Sequence, residues 1–267
     1  MTATPKYTHG HAESVLRSHR WRTADNSAAY LLPRLRPGLS LLDIGAGPGT
    51  ITAELAGLVA PGRVTALEAN DDALALSRAE LEARGIDADF VVGDVHALDL
   101  PDDSFDVVHA HQVLQHVADP VLALREMRRV CRPGGVVAAR DSDYTAFAWY
   151  PERSELDRWM ELYQAAARAN GGEPDAGRRL KAWAHAAGFE QVTATASTWL
   201  FTEPDDRAYW GGMWEDRILT SALADQLLAD GLATRAELEE ISAALRAWTA
   251  DPDGWITILH GEVIAVA

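Results

Sequence analysis

Three carboxylates stand where short apolar runs give way to loops. Asp43 lies in Leu41-Leu42-Asp43-Ile44, Glu68 closes Val64-Thr65-Ala66-Leu67-Glu68, and Asp94 sits in Gly93-Asp94-Val95. Between the first two runs comes the turn Gly45-Ala46-Gly47-Pro48-Gly49. A side chain at Gly45 or Gly47 would block close approach of a ligand to the backbone. An acid beside such a turn repels a pyrophosphate and suits a ligand bearing an amino group. An acid at a second strand tip can accept hydrogen bonds from both ribose hydroxyls. The third acid can accept from the exocyclic amine of adenine, with Val95 covering the ring face. The glycine spacing is Gly-x-Gly-x-Gly. It is neither the Gly-x-Gly-x-x-Gly of dinucleotide folds nor a phosphate loop. With Asp43, that spacing disfavours a nicotinamide oxidoreductase.

Strands and helices must alternate to hold these acids. The turn Pro37-Gly38 precedes the first strand and apolar periodicity resumes at Ile51. Residues 62–70 and 89–95 read as the second and third strands, and Phe105-Asp106-Val107-Val108-His109-Ala110 as the fourth. After Pro120, Val121, Leu124, Met127 and Val130 recur at helical spacing. Cys131, the one cysteine, is placed on that helix as buried packing, which excludes an internal disulfide. Arg132-Pro133-Gly134-Gly135 stops the helix, and Val136-Val137-Ala138-Ala139 is the fifth strand. Residues 152–170 and 176–187 carry helical patterning, 191–201 alternates as a sixth strand, and 255–266 supplies a seventh. Between those strands, about 203–250 is mostly helical. Eight of the nine tryptophans lie after residue 140, which an aromatic-rich cap over the crevice would explain.

The run from residue 39 to 141 resembles the class I S-adenosylmethionine-dependent methyltransferases, specifically the ubiquinone/menaquinone-biosynthesis, methyltransferase type 11-like family. LLDIGAGPGT at 41–50, Glu68, GDV at 93–95 and VLQHVADP…REMRRVCRPGG over 113–135 carry the resemblance. It implies an α/β, Rossmann-like doubly wound sheet of seven strands, the last antiparallel, with a small helical cap. It implies S-adenosyl-L-methionine as cofactor and S-adenosyl-L-homocysteine as product. Asp43, Gly45 and Gly47, with Ala46, would meet the methionine moiety. Glu68 with Ala69 would meet the ribose, Asp94 and Val95 the adenine, and His111 the sulfonium end. In this family N-terminal segments fold over the cofactor mouth, which makes Tyr7 and Arg22 contacts of cofactor or substrate. Two positions depart from the pattern: Ala46 where many relatives carry cysteine, and Gln115-His116 where many carry paired histidines.

The expected division is an N-terminal helical segment at 1–36, a cofactor-binding core at 37–150, and the remaining sheet at 151–267 with the cap inserted at about 203–250. Histidine titrates near working pH, so His116 is the expected general base. Asp141, Tyr144 and Trp149, just beyond the fifth strand, are expected at the acceptor. The expected reaction is methyl transfer to oxygen, nitrogen or carbon of a small aromatic or apolar metabolite. The alternatives are a peptide or protein acceptor and a catalytically silent cofactor-binding regulatory module. With 24 basic and 40 acidic residues the net charge is −16, which repels nucleic acid and anionic membranes. No metal is expected, since His9, His11 and His19 lack companion ligands at a recurrent spacing, and Asp141-x-Asp143 lacks a third acid. A cytoplasmic monomer or homodimer, without a membrane or nucleic-acid partner, completes the expectation.

Overall fold

A computed structural model describes residues 21–267. The expectations for Tyr7, His9, His11 and His19 lie outside the described residues. A short helix α1 (Ala24–Ser27), opened by a capping box between Thr23 and Asn26, leads toward the sheet. The core then alternates: β1 (Leu41–Ile44), α2 (Thr50–Val59), β2 (Val64–Glu68), α3 (Asp71–Ala83), β3 (Asp89–Val92), β4 (Phe105–His111), α4 (Pro120–Val130) and β5 (Cys131–Ser142). β1 and β4 are buried throughout, as strands covered by helices on both faces must be.

β1 runs parallel to β2 and to β4, pairing Leu41 with Val64 on one side and with Val107 on the other. β3 extends one flank and β5 the other, both parallel. The chain continues through β6 (Ala148–Tyr150), α5 (Ser154–Ala169), α6 (Leu180–Ala186), β7 (Gln191–Phe201), α7 (Pro204–Thr220), α8 (Ala222–Ala229), α9 (Arg235–Ala250) and β8 (Trp255–Val266). β8 is antiparallel to β5, β6 and β7, and β7 pairs with β8.

Eight strands are present where seven were expected. The addition is β6, three residues long, too short for alternation to be read from sequence. Cys131 is buried as expected, but it opens β5, because α4 ends at Val130.

The three largest apolar clusters among the described residues follow from this wiring. Leu124 and Met127 of α4, with Leu180 and Ala184 of α6, cover one sheet face against Val108, Val137 and Val263. Leu55 and Val59 of α2 cover the other against Leu41, Val107 and Ile264. The third is aromatic: Trp159 and Tyr163 of α5 meet Trp210 and Trp214 of α7, Trp248 of α9, and Phe201 and Ile256. α5 buries Leu156, Trp159, Met160 and Tyr163, an apolar stripe at helical spacing. It therefore packs with the helices of 204–250 in one layer. Among the described residues no helix is long and apolar enough to cross a membrane.

Candidate functional site

Strand order reverses between β1 and β4, and in open α/β sheets a crevice forms there beyond the carboxyl ends of the strands. A cavity of about 490 Å³ occupies it.

On the β1–β3 side the cavity is lined by Asp43, Gly45, Ala46, Gly47, Glu68, Ala69, Asp94 and Val95. Every one of these was expected at the cofactor. The turn needs its glycines: φ is +68° at Gly45, +58° at Gly47 and +83° at Gly49. A Cβ on Gly45 would lie 2.4 Å from Cγ2 of Val113. Glu68 steadies the turn, its Oε1 accepting the Gly47 N–H at 2.6 Å. The exposed Asp94 carboxylate accepts the His96 backbone N–H at 2.9 Å, and that hydrogen bond holds its pKa below the usual carboxylate value.

Asp43 differs in detail from its expected part as an ammonium ligand. It lines the cavity, yet one oxygen meets Nδ1 of His109 at 2.7 Å and the other accepts the Thr52 hydroxyl at 2.5 Å. Both oxygens are engaged within the protein, so Asp43 ties β1 to β4 and α2 beneath the turn. His109 escaped the sequence reading because nothing local marks a partner 66 residues away, and Thr52, nine residues on, reads as an ordinary position of α2.

The opposite side is assembled from distant segments. Trp21 and Arg22 come from the N-terminal part, Gln112 and His116 follow β4, and Tyr144 and Phe147 follow β5. Trp199 and Phe201 come from β7, and Tyr209, Trp214 and Arg217 from α7. Tyr144 stacks between Phe147 and Tyr163, with ring centroids 4.6 and 4.1 Å away.

Gln112 organises the seam between the two sides from a left-handed φ of +53°, rare for a residue with a side chain. Its Oε1 accepts from Arg22 Nη2 at 2.6 Å, while its Nε2 lies 2.7 Å from Ser142 Oγ and 2.8 Å from His260 Nε2. A guanidinium only donates, so the amide oxygen must face Arg22 and the NH₂ must face His260. His260 then accepts at Nε2 and donates from Nδ1 to the Ile258 carbonyl at 3.1 Å. His111 lies beside this group, its ring 5.7 Å from Trp199 and 6.3 Å from His260. Neither of its ring nitrogens has a hydrogen-bond partner among the described residues. Burial first, then the charges of Arg140 and Arg22, hold the His111 pKa well below the ordinary imidazole value.

His116, the expected base, lines the cavity with Nε2 3.0 Å from Gln115 Nε2. Burial, reinforced by the Arg22 charge, pushes its pKa down to about 3. It is a neutral imidazole at pH 7 with little affinity for a proton.

Two expected acceptor residues lie off the cavity. Asp141 is fully buried below it, with Oδ1 accepting the Gln115 backbone N–H at 3.1 Å. Burial pushes its pKa up to about 8. It braces the loop that carries His116. Trp149, on β6, packs edge-on to Trp159 at 6.2 Å, within the aromatic layer. Neighbouring Asp143 is also buried, held by Arg178 through two 2.5 Å contacts. Among the described residues, no group of three or more His, Cys, Asp or Glu side chains is arranged to hold a metal ion.

A model of the methyltransferase domain matches residues 42–139. The chain is 33% identical to the methyltransferase C1B3.06c of Schizosaccharomyces pombe, over 97% of this chain and 95% of that protein. It is 32% identical to the ubiquinone/menaquinone biosynthesis C-methyltransferase UbiE of Shewanella sp. strain ANA-3, over 61% of this chain and 71% of that one. The solved YcgJ protein of Bacillus subtilis shares the fold, with a TM-score of 0.60 at 16% identity, over 89% of this chain and 97% of that one.

Proposed function

The chain belongs to the class I S-adenosylmethionine-dependent methyltransferases, and on that premise we propose that its methyl acceptor is a small aromatic or apolar metabolite, methylated on oxygen, nitrogen or carbon. The observation that carries this reading is the aromatic wall of Trp21, Tyr144, Phe147, Trp199, Tyr209 and Trp214 around a cavity of about 490 Å³. Ligand pockets of a few hundred cubic ångströms lined by aromatic side chains suit small flat molecules. A peptide acceptor would call for an open groove.

S-adenosylmethionine supplies an electrophilic methyl group on a sulfonium when bound. The residues present fit it: a turn of left-handed glycines, then acids at the ends of β2 and β3. In this reading Glu68 accepts from the ribose hydroxyls, Asp94 from the adenine amine, and Val95 covers the ring. Gly45, Ala46 and Gly47 receive the methionine moiety and Ala69 flanks the ribose, while Asp43 holds the floor. His111 and Arg22 sit toward the reacting end. Tyr144 and the indoles orient the acceptor and exclude water, so that positioning provides much of the rate. His116 contributes a neutral, hydrogen-bonded wall.

Calorimetry with S-adenosylmethionine and with NAD tests the premise, and heat from NAD alone would overturn it. The acceptor class is tested by S-adenosylhomocysteine release with small phenols, small amines and unstructured peptides. Turnover confined to peptides would replace this reading with protein methylation. Cofactor binding without turnover on any acceptor would favour a regulatory module.

A further inference from the structure

Resting on the small-acceptor reading above, we propose that the acceptor carries an uncharged hydroxyl, which seats in a recess between His111 and Ser142 at the carboxyl ends of β4 and β5. Strand register builds the recess. His111 of β4 pairs with Arg140 of β5, and Ser142, two residues further along β5, pairs with His260 of β8. Side chains two residues apart on a strand share a face, so His111, Ser142 and His260 project from one face of the sheet. Trp199, paired with Ile258, joins them there, its ring 5.7 Å from that of His111 and 4.4 Å from that of His260. His111, Ser142 and Trp199 all line the cavity.

Three neighbours of the recess are already committed. Trp199 gives its ring N–H to the Asn26 carbonyl at 2.6 Å, which leaves its flat faces as apolar wall. His260 uses one nitrogen on Gln112 and the other on the Ile258 carbonyl. Gln112 takes a proton from Arg22 on its oxygen and directs its NH₂ to Ser142 and His260.

Ser142 and His111 keep capacity to bond. The Ser142 hydroxyl, fully buried, accepts from Gln112 at 2.7 Å, and that bond leaves its own proton to be donated. His111 is only 6% exposed, yet neither ring nitrogen has a partner among the described residues. Buried polar atoms of this kind are satisfied by water or by a ligand.

The two residues constrain what that ligand group can be. It must accept a hydrogen bond from Ser142. Burial keeps His111 neutral, so the imidazole presents either an N–H or a lone pair, and no protein partner fixes which. A hydroxyl answers both cases. Its two lone pairs accept from Ser142 and from an N–H, and its proton can go to a ring lone pair. A carbonyl, ether or carboxylate oxygen has no proton for that lone pair, and an ammonium has nothing to offer Ser142. The indole face beside the recess suits a flat ring bearing the hydroxyl. The favoured acceptor is therefore a hydroxylated ring, bound un-ionised.

The test titrates 2-naphthol and naphthalene, by naphthyl fluorescence, into the full chain loaded with S-adenosylhomocysteine. At pH 7 a phenol of this kind is un-ionised. It should bind at least about tenfold more tightly than the hydrocarbon, which leaves two buried groups unpaired. Ser142→Ala and His111→Phe should each cut that preference by at least about threefold, through the affinity for 2-naphthol and not for naphthalene. His111→Gln keeps a donor and an acceptor and should restore most of the preference, whereas a purely structural role would not distinguish Gln from Phe. Should His111→Phe fail to fold, Ser142→Ala, the smaller change, gives the same reading. A smaller preference in the parent, no saturable 2-naphthol binding, or a full preference kept by either variant overturns the proposal. Loss of the S-adenosylhomocysteine heat from the variants would place the recess under the cofactor and overturn it as well. If the preference is absent while the heat of S-adenosylmethionine binding and the turnover of small acceptors persist, this inference alone falls. Turnover confined to peptides would sink the earlier reading instead.

Discussion

The β1–β3 side of the cavity is walled by backbone, carboxylates and positions that exclude a Cβ, whereas the facing side is walled by rings and guanidiniums. The first side is drawn from short contiguous stretches, 43–51, 67–76 and 93–96. The second is gathered from residues 21–22, 111–117, 142–147, 199–217 and 258. A cofactor common to many enzymes can be met by a compact, reusable set of loops. An acceptor peculiar to one enzyme is met by side chains that only the finished tertiary structure brings together.

The sharpest way to separate the two sides is to damage the aromatic layer. Trp159 is fully buried, 5.5 Å from Trp210 and 4.8 Å from Trp214. Trp159→Ala should cost about 3–5 kcal/mol in denaturant unfolding. Calorimetry on the folded fraction should still find near-normal S-adenosylmethionine affinity. A parallel loss of that affinity would show the sides to be one cooperative unit.

A second experiment follows stability against pH. Folding raises the Asp141 pKa from 3.8 to about 8, so the protonated carboxyl favours the folded state. That contribution is complete below the unfolded value and is lost as pH climbs toward the folded one, an effect on the order of a few kcal/mol. Asp141→Asn keeps a neutral group there and should flatten the fall of Tm across this range. An unchanged slope would mean that the carboxyl is ionised well below pH 8.

On the cofactor side, Glu68→Ala should weaken S-adenosylmethionine by about 1.5–3 kcal/mol, the worth of a hydrogen bond to a charged group, or roughly 10- to 100-fold in calorimetry. Glu68→Gln should lose less. The smallest effect is expected at His116. Removing a general base costs about 10²–10⁴ in rate, and His116→Gln should fall below that range, with no inflection near neutral pH lost from the profile. A hundredfold drop would restore His116 as the base.

The doubly wound sheet was legible because period, glycine turns and strand tips are local signals, and β7 and β8 fall at the predicted 191–201 and 255–266. The residues that line the β1–β3 side of the cavity were legible for the same reason. The engagement of Asp43 by His109 and Thr52 was not, since it depends on which strand lies beside β1. Asp141 and Trp149, expected at the acceptor, lie off the cavity because position after a strand tip says little about direction: one turns under the loop and the other into β6. Gln112 carried no signal beyond its place after β4, and its left-handed backbone is visible only in the fold.

One feature of the wiring reaches back to the ribosome. β7 joins the sheet by way of β8, and the three cap helices separate the two in the chain. Until β8 emerges, β5 keeps a bare flank and β7 has no neighbour to zip onto. The nascent polypeptide must therefore carry an unsealed edge through the synthesis of α7, α8 and α9, and a single late strand closes the sheet and gives β7, with Trp199 and Phe201 of the cavity wall, its partner.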